Sequence, residues 1–243
     1  MARADSRLNN QLRQIQFEPN FTKWAEGSIL CKFGNTHVLC NVTLEDSLPG
    51  WLKHRENPHG WLTAEYAMLP RSTQQRTRRE QRWPKGRTQE ISRLIGRSLR
   101  MAVDLQALGE RTLTVDCDVL QADGGTRTAA ITGGWLAVAL ALRPLIQAGE
   151  LPEAVLRQQI AAISVGLVDG EVVLDLPYVE DSQAEADVNV IMTAKGAIIE
   201  VQGTAEKEPI SSEQFNQMIA LASEGIQGLC QKQQNLIKSV TTP

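Results

Sequence analysis

The sequence lacks every short cysteine motif. Its four cysteines, Cys31, Cys40, Cys117 and Cys230, are widely spread, and none forms a Cys-x-x-Cys pair. That excludes sulfur-ligated zinc ribbons and thioredoxin-like redox sites. Residues 1–20 are polar and charged, without the apolar stretch of a secretory signal. Buried free thiols are therefore expected rather than a disulfide, even though Cys31 and Cys40 come close across a hairpin. The longest apolar run, Trp135 to Leu142, has eight residues, far short of a bilayer span. These absences read as a cytoplasmic protein with no membrane partner. Histidine is scarce as well: His37, His54 and His59 show no metal-ligand spacing and read as structural or solvated.

What is present is an ordinary globular composition, 42% hydrophobic and 22% charged over 243 residues, enough chain to bury a core without staples. The net charge of −3 conceals a strong asymmetry. From Arg71 to Arg87 there are seven basic residues and one acid, hence +6, which leaves −9 for the rest of the chain. A basic segment on an acidic body is a footprint for a polyanion. Gln74, Gln75, Glu80 and Pro84 leave it no apolar face, so a flexible loop or short helix is expected. Its arginine bias favours contact with an RNA backbone, through Arg71, Arg76, Arg78 and Arg79, over a merely solvated charge run.

The chain is organised around residues 111–148. Leu113, Val115, Cys117 and Val119 alternate with polar residues, the period of a half-buried strand. Asp123-Gly124-Gly125-Thr126-Arg127-Thr128 follows, and from Ile131 to Leu142 the pattern is helical and apolar. The order is strand, Gly-Gly turn, helix. A helix N-terminus presents unpaired N–H groups to an anion. Gly124 and Gly125 permit unusual backbone angles and close approach, and Arg127 supplies a bidentate fork for phosphate oxygens. An ordinary strand-to-helix turn with a Thr cap is the plainer alternative; Arg127 in mid-turn favours a phosphate site. It is not a Walker A loop, since no Gly-Lys-Ser/Thr closes it.

Around this centre, residues 7–21 lead into an edge strand, and residues 28–44 form a hairpin turning at Gly34-Asn35. Residues 48–60 read as a loop, with Trp51 and Trp61 open to base stacking, core or subunit-interface roles. Trp61 to Pro70 reads as a strand. Thr88 to Leu108 reads as an amphipathic helix with Gly109 as its C-cap, placing Arg87 at its start. Leu151 to Gln159 reads as a short helix, and strands at Ala161–Val168 and Val172–Leu176 flank a turn at Asp169-Gly170. An acidic stretch follows, holding Asp175, Glu180, Asp181, Glu185 and Asp187, with Asp181 closing one element and Asp187 opening a strand at Val188–Met192. Paired carboxylates attract a divalent cation or share a proton, while spacing alone favours a solvated loop with caps and Asx turns. A strand follows at Ala197–Val201. Ser211 to Gln214 is a capping box opening the C-terminal helix, whose apolar stripe includes Phe215, with fraying from Lys238 onward. Hairpins mixed with helices indicate the α+β class.

Several of these segments resemble the ribonuclease PH family of phosphorolytic 3′→5′ exoribonucleases. They are the run from Cys117 to Gly133, the hairpin motifs from Glu26 to Cys40, Trp61 to Arg71, Gly86-Arg87-Thr88, Val179 to Ser182, Ala184 to Val190 and Gln202 to Glu206. The resemblance covers nearly the whole chain. It implies one ribonuclease PH-type domain over 1–243, with mixed sheets packed with helices, assembled as a homohexamer, a trimer of dimers. It implies inorganic phosphate as co-substrate, held by Arg87, Gly125, Thr126 and Arg127. Asp181 and Asp187 would bind Mg²⁺, or one would protonate the leaving oxygen. The substrates would be tRNA precursors and other RNA 3′ ends. A hydrolytic nuclease would need carboxylates for two metals, and one pair is visible. A catalytically dead RNA-binding ring subunit would have lost Arg127 or the aspartates. The chain is too short for polynucleotide phosphorylase.

Overall fold

The computed structural model describes residues 3, 5–79 and 86–240. The first sheet holds β1 (Ile15–Pro19), β2 (Gly27–Phe33), β3 (Thr36–Glu45), β4 (Trp61–Met68) and β5 (Thr112–Gln121), in the order β1-β2-β3-β5-β4. A short helix α1 (Gly50–Lys53) links β3 to β4, and α2 (Gly86–Ala102) links β4 to β5. Among the described strands of this sheet only β4 and β5 run parallel, a pairing that requires a crossover, here supplied by α2. After β5 comes α3 (Thr126–Gln147). The second sheet follows: β6 (Ile160–Val168), β7 (Glu171–Leu174), helix α4 (Tyr178–Asp181), β8 (Ala186–Thr193) and β9 (Ile198–Ala205), ordered β7-β6-β8-β9 and antiparallel throughout. Helix α5 (Ser212–Ser239) closes the described chain.

The alternation in β5 does what its period dictates: Leu113, Val115, Cys117 and Val119 are buried against α3. Helix α3 is apolar on all sides because it lies between the sheets, against β2, β3 and β5 on one side and β6 on the other. It is the one described helix long and apolar enough to cross a membrane, and 72% of that window is buried inside the fold. Gly27 permits the closest approach, since a Cβ there would strike the Ala137 carbonyl. One buried cluster runs from Ile15 through α3 to Cys230 and takes in residues of both sheets. All four cysteines are free and buried.

Several element boundaries differ from the periodicity. Helix α2 ends at Ala102, six residues short of the expected Leu108. The Asp104 carboxylate accepts the N–H groups of Gln106 and Ala107, and Val103 bridges to Leu156, so a new turn begins there. Gly109, at φ 70°, ends that turn instead of capping α2. The helix expected over Leu151–Gln159 shrinks to a 3₁₀ turn at Glu153–Val155 after Pro152. The loop over 48–60 contains α1, and Trp51 meets Trp61 edge to face with centroids 5.0 Å apart. Phe215 is 37% exposed, outside the buried stripe of α5. The capping box is present: Ser211 Oγ accepts Gln214 N–H, and Gln214 Oε1 accepts Ser211 N–H. Helix α5 runs through Lys238, where fraying was expected, to Ser239 with Val240 as its C-cap; residues 241–243, the rest of that expected segment, lie outside the described residues.

Candidate active site

The turn between β5 and α3 is held in one conformation. Gly124 and Gly125 take φ values of 73° and 67°, which side chains other than glycine rarely adopt. A Cβ on Gly124 would lie 2.5 Å from Leu176 O and 2.8 Å from Tyr178 N, so this glycine also allows the chain leading into α4 to pass close by. Thr36, fully buried, donates from Oγ1 to Gly124 O at 2.6 Å and accepts Asp123 N–H at 3.0 Å. Tyr66 Oη and Thr126 Oγ1 are 2.8 Å apart. The N–H groups of Gly124 and Gly125 donate to no partner among the described residues. Amides left this way at a helix start attract an anion.

Two arginines face this turn. Arg127, in the first turn of α3, is half-buried; its Nη1 donates to Gln202 Oε1 at 3.3 Å and stands 3.7 Å from Glu90 Oε1. Arg87, second residue of α2, is exposed. The acids come from the opposite wall. Asp181 ends α4, the helix whose first N–H, at Tyr178, donates to Asp123 Oδ1 at 3.2 Å. Asp187 stands near the start of β8, paired with Gly166 of β6 and Thr204 of β9. Desolvation pushes the Asp181 carboxyl above the ordinary value, Asp187 pushes it further, and Arg127, Arg87 and Arg13 pull it back. Desolvation raises Asp187 as well, with Arg127 opposing and Glu206 adding to the rise.

These groups line one cavity of about 910 Å³, which brings together Arg87, Gly125, Thr126, Arg127, Asp181 and Asp187. Ser164, Asn189, Glu206 and Lys207 complete its floor and rim. Arg71, Arg76, Arg78 and Arg79 do not line it; all four are exposed, and Thr73, Gln74, Gln75 and Thr77 of the same loop reach the cavity instead. The loop is non-helical over 71–79. Glu80, Arg82, Pro84 and Lys85 of the basic segment lie outside the described residues. Asp175 does not belong with the acidic pair. It is fully buried, its Oδ1 accepts Arg13 Nη2 at 2.7 Å, and Arg7 Nη1 stands 3.7 Å from Oδ2. Glu180 likewise turns inward to Arg3 at 2.6 Å, and Glu185 accepts the Gly170 N–H at 3.0 Å. Sequence reasoning passed over the N-terminal arginines, Thr36 and Tyr66. Nothing in their neighbourhoods marks them, since the contacts that tie Arg3, Arg13, Thr36 and Tyr66 to the site and to its acids reach 60 or more residues along the chain.

Comparison with known proteins agrees along most of the chain. The family model for domain 1 of the 3′ exoribonuclease family matches residues 11–144, and that for domain 2 matches residues 158–225. Ribonuclease PH of Mesorhizobium japonicum is 56% identical over 236 residues, 96% of this chain and 98% of that protein. Ribonuclease PH of Brucella ovis is 56% identical over 231 residues, 93% and 96% of the two chains. Among solved structures, a chain of the Archaeoglobus fulgidus exosome with RNA bound to the active site superposes with a TM-score of 0.77 at 21% identity, covering 95% of this chain and 92% of that one. The last is a likeness of fold.

Proposed function

This chain belongs to the 3′ exoribonuclease family of ribonuclease PH, and from that premise we propose that the cavity between Arg87, Arg127, Asp181 and Asp187 is where inorganic phosphate cleaves the RNA 3′ end. The activity is phosphorolytic 3′→5′ trimming of precursor tRNA, a nucleotidyl transfer to phosphate that nucleoside diphosphates drive in reverse. A phosphate oxygen attacks the terminal phosphodiester phosphorus. The bond to the 3′ oxygen of the preceding nucleotide breaks, that oxygen takes a proton, and a nucleoside 5′-diphosphate leaves.

The observation that carries the reading is the lining of one cavity by a cationic wall and an anionic one. Two phosphates repel as they meet. Arg87, Arg127 and the N–H groups of Gly124 and Gly125 offset that repulsion, and fixed donors do so without reorganising during the reaction. Asp181, held above its ordinary pKa by burial and by Asp187, is suited to deliver the proton to the leaving 3′ oxygen. The same pair suits Mg²⁺. Two desolvated carboxylates repel each other, and no group of three His, Cys, Asp or Glu forms an all-protein cage among the described residues. Mg²⁺ commonly uses one or two carboxylates, keeps waters and takes substrate phosphate as ligand. Held by Asp181 and Asp187, it would supply charge stabilisation at the phosphoryl oxygens.

RNA is the partner, and Arg71, Arg76, Arg78 and Arg79, exposed on the loop that rims the cavity, would follow its backbone. The single-domain organisation over 1–243 finds support in the one buried cluster shared by both sheets. A homohexamer, a trimer of dimers in the cytoplasm, would cover exposed apolar side chains such as Trp24, 85% exposed, and Leu8, 71% exposed.

The test uses a labelled RNA with a 3′ overhang, with and without phosphate, products resolved by chromatography. Trimming should require phosphate and yield nucleoside diphosphates, and excess diphosphate should lengthen the RNA. Arg127→Ala should lose trimming and extension together, since both directions share one transition state. Nucleoside monophosphates released without phosphate would overturn the reading.

A further inference from the structure

The Asp123–Gly125 strip has two sides. One lines the 910 Å³ cavity, and the other is covered by Arg13, which lines a separate hollow with Asp5, Arg7 and Pro177 and does not reach the cavity. Arg13 Nη1 donates to Asp123 O at 2.6 Å, and Nη1 and Nη2 approach Gly124 O at 3.5 and 3.4 Å. Its Nη2 also donates to Asp175 Oδ1 at 2.7 Å, and its backbone N–H donates to Asp175 Oδ2 at 2.8 Å. The Arg13 side chain is 4% exposed and that of Asp175 0%.

A trans peptide is planar, with its C=O and N–H pointing opposite ways. Donors that draw the Asp123 and Gly124 carbonyls away from the cavity therefore turn the Gly124 and Gly125 N–H groups towards it. Neither amide meets a partner among the described residues. We infer that Arg13, held by Asp175, is a positioning residue for the phosphate nucleophile: it aims the amides of the Gly124-Gly125 turn from behind. This rests on the phosphorolytic reading of the cavity. Arg13 touches neither phosphate nor RNA. Its planar fork reaches two carbonyls and a carboxylate at once, which the single ammonium of a lysine cannot do.

The measurement is the phosphate KM of the full-length protein at saturating RNA, with RNA affinity measured separately without phosphate. Arg13→Gln and Arg13→Lys should each raise the phosphate KM about tenfold or more, the effect of losing a charge-assisted hydrogen bond from the network, while RNA affinity stays at the wild-type value. Leu229→Ala, a fully buried site on α5, serves as the stability control. It should lower the melting temperature and leave the phosphate KM unchanged. If Arg13→Gln does not accumulate as folded protein, Arg13→Lys, which keeps the ion pair with Asp175, carries the same measurement. A wild-type phosphate KM in the Arg13 variants, whatever their melting temperatures, overturns the inference. Wild-type trimming that ignores phosphate overturns the phosphorolytic reading instead, so the two failures are distinct.

Discussion

Tyr66 Oη lies 2.8 Å from Thr126 Oγ1, tying the edge strand β4 to the first residue of α3. Tyr66 is buried, and burial is the largest cause raising its pKa, so the phenol stays neutral beside Arg87 and Arg127. Tyr66→Phe keeps the ring and loses one buried hydrogen bond, which costs about 1 kcal/mol. The freed Thr126 hydroxyl can then rotate, and the phosphate KM should rise a few-fold. Thermal melting and a phosphate titration check both effects; if neither moves, the tie has no role at the turn.

The acidic pair should make the protein less stable at neutral pH than it would be without it. Both carboxyls are raised from 3.8 by desolvation, so folding disfavours their ionised forms. Below the unfolded value both states are protonated and no penalty exists; as pH rises through the raised folded values the penalty grows to its full size. Asp181→Asn and Asp187→Asn should therefore raise the melting temperature at pH 7 in metal-free buffer, with the gain vanishing towards pH 4, and should abolish turnover while leaving RNA binding largely intact. Melting curves across pH, beside activity assays, decide the matter. A variant less stable than wild type at pH 7, or one with normal turnover, removes that residue from this role.

Neutralising the basic loop should weaken RNA binding without touching the chemistry. Arg71, Arg76, Arg78 and Arg79 are exposed and outside the cavity, so their contribution is screened by salt. Each lost phosphate contact should reduce the log–log salt slope by about 0.7 on single-stranded RNA. The quadruple Ala variant, titrated with precursor tRNA at several salt concentrations, should show a flatter line and an unchanged phosphate KM. An unchanged slope would show that these arginines do not contact RNA phosphates.

Gly124→Ala should disable the site more severely than most single substitutions. The new methyl meets Leu176 O at 2.5 Å, at a φ of 73° that alanine resists, and together these effects cost on the order of 1–3 kcal/mol or more. The loss of trimming should exceed the loss of melting temperature, because relief of the clash moves the turn away from α4. Ordinary activity in a folded Gly124→Ala protein would mean that the turn tolerates displacement.

Much of this was legible in the chain. The alternation from Leu113 to Val119, the paired glycines after it and the Ser211–Gln214 capping box each specify local geometry, and each forms as its residues dictate. The end of α2 was hidden because Val103 and Leu108 extend the apolar stripe past Ala102, while what stops the helix is a side-chain cap by Asp104 and a bridge to distant Leu156. Asp175 stood among acids in sequence and turned the other way in space, since local charge density carries no information about burial. Arg87, Asp181 and Asp187 were singled out by family resemblance; spacing alone left them as patch and loop. Arg13 had no local signal at all, because its partners are Asp123, Gly124 and Asp175.

Arg13 and Asp175 are 162 residues apart in the chain. A ribosome at work on this protein has long since released the arginine when the aspartate emerges. Until then the guanidinium has no carboxylate to dock against, and β5, the Gly-Gly turn and α3 lack the clamp behind them. Asp181 and Asp187 follow Asp175 by six and twelve residues, so the brace and the acids that face the turn reach completion almost together. A nascent chain stalled short of Asp175 thus holds both arginines of the cavity while the aspartates opposite them are still untranslated.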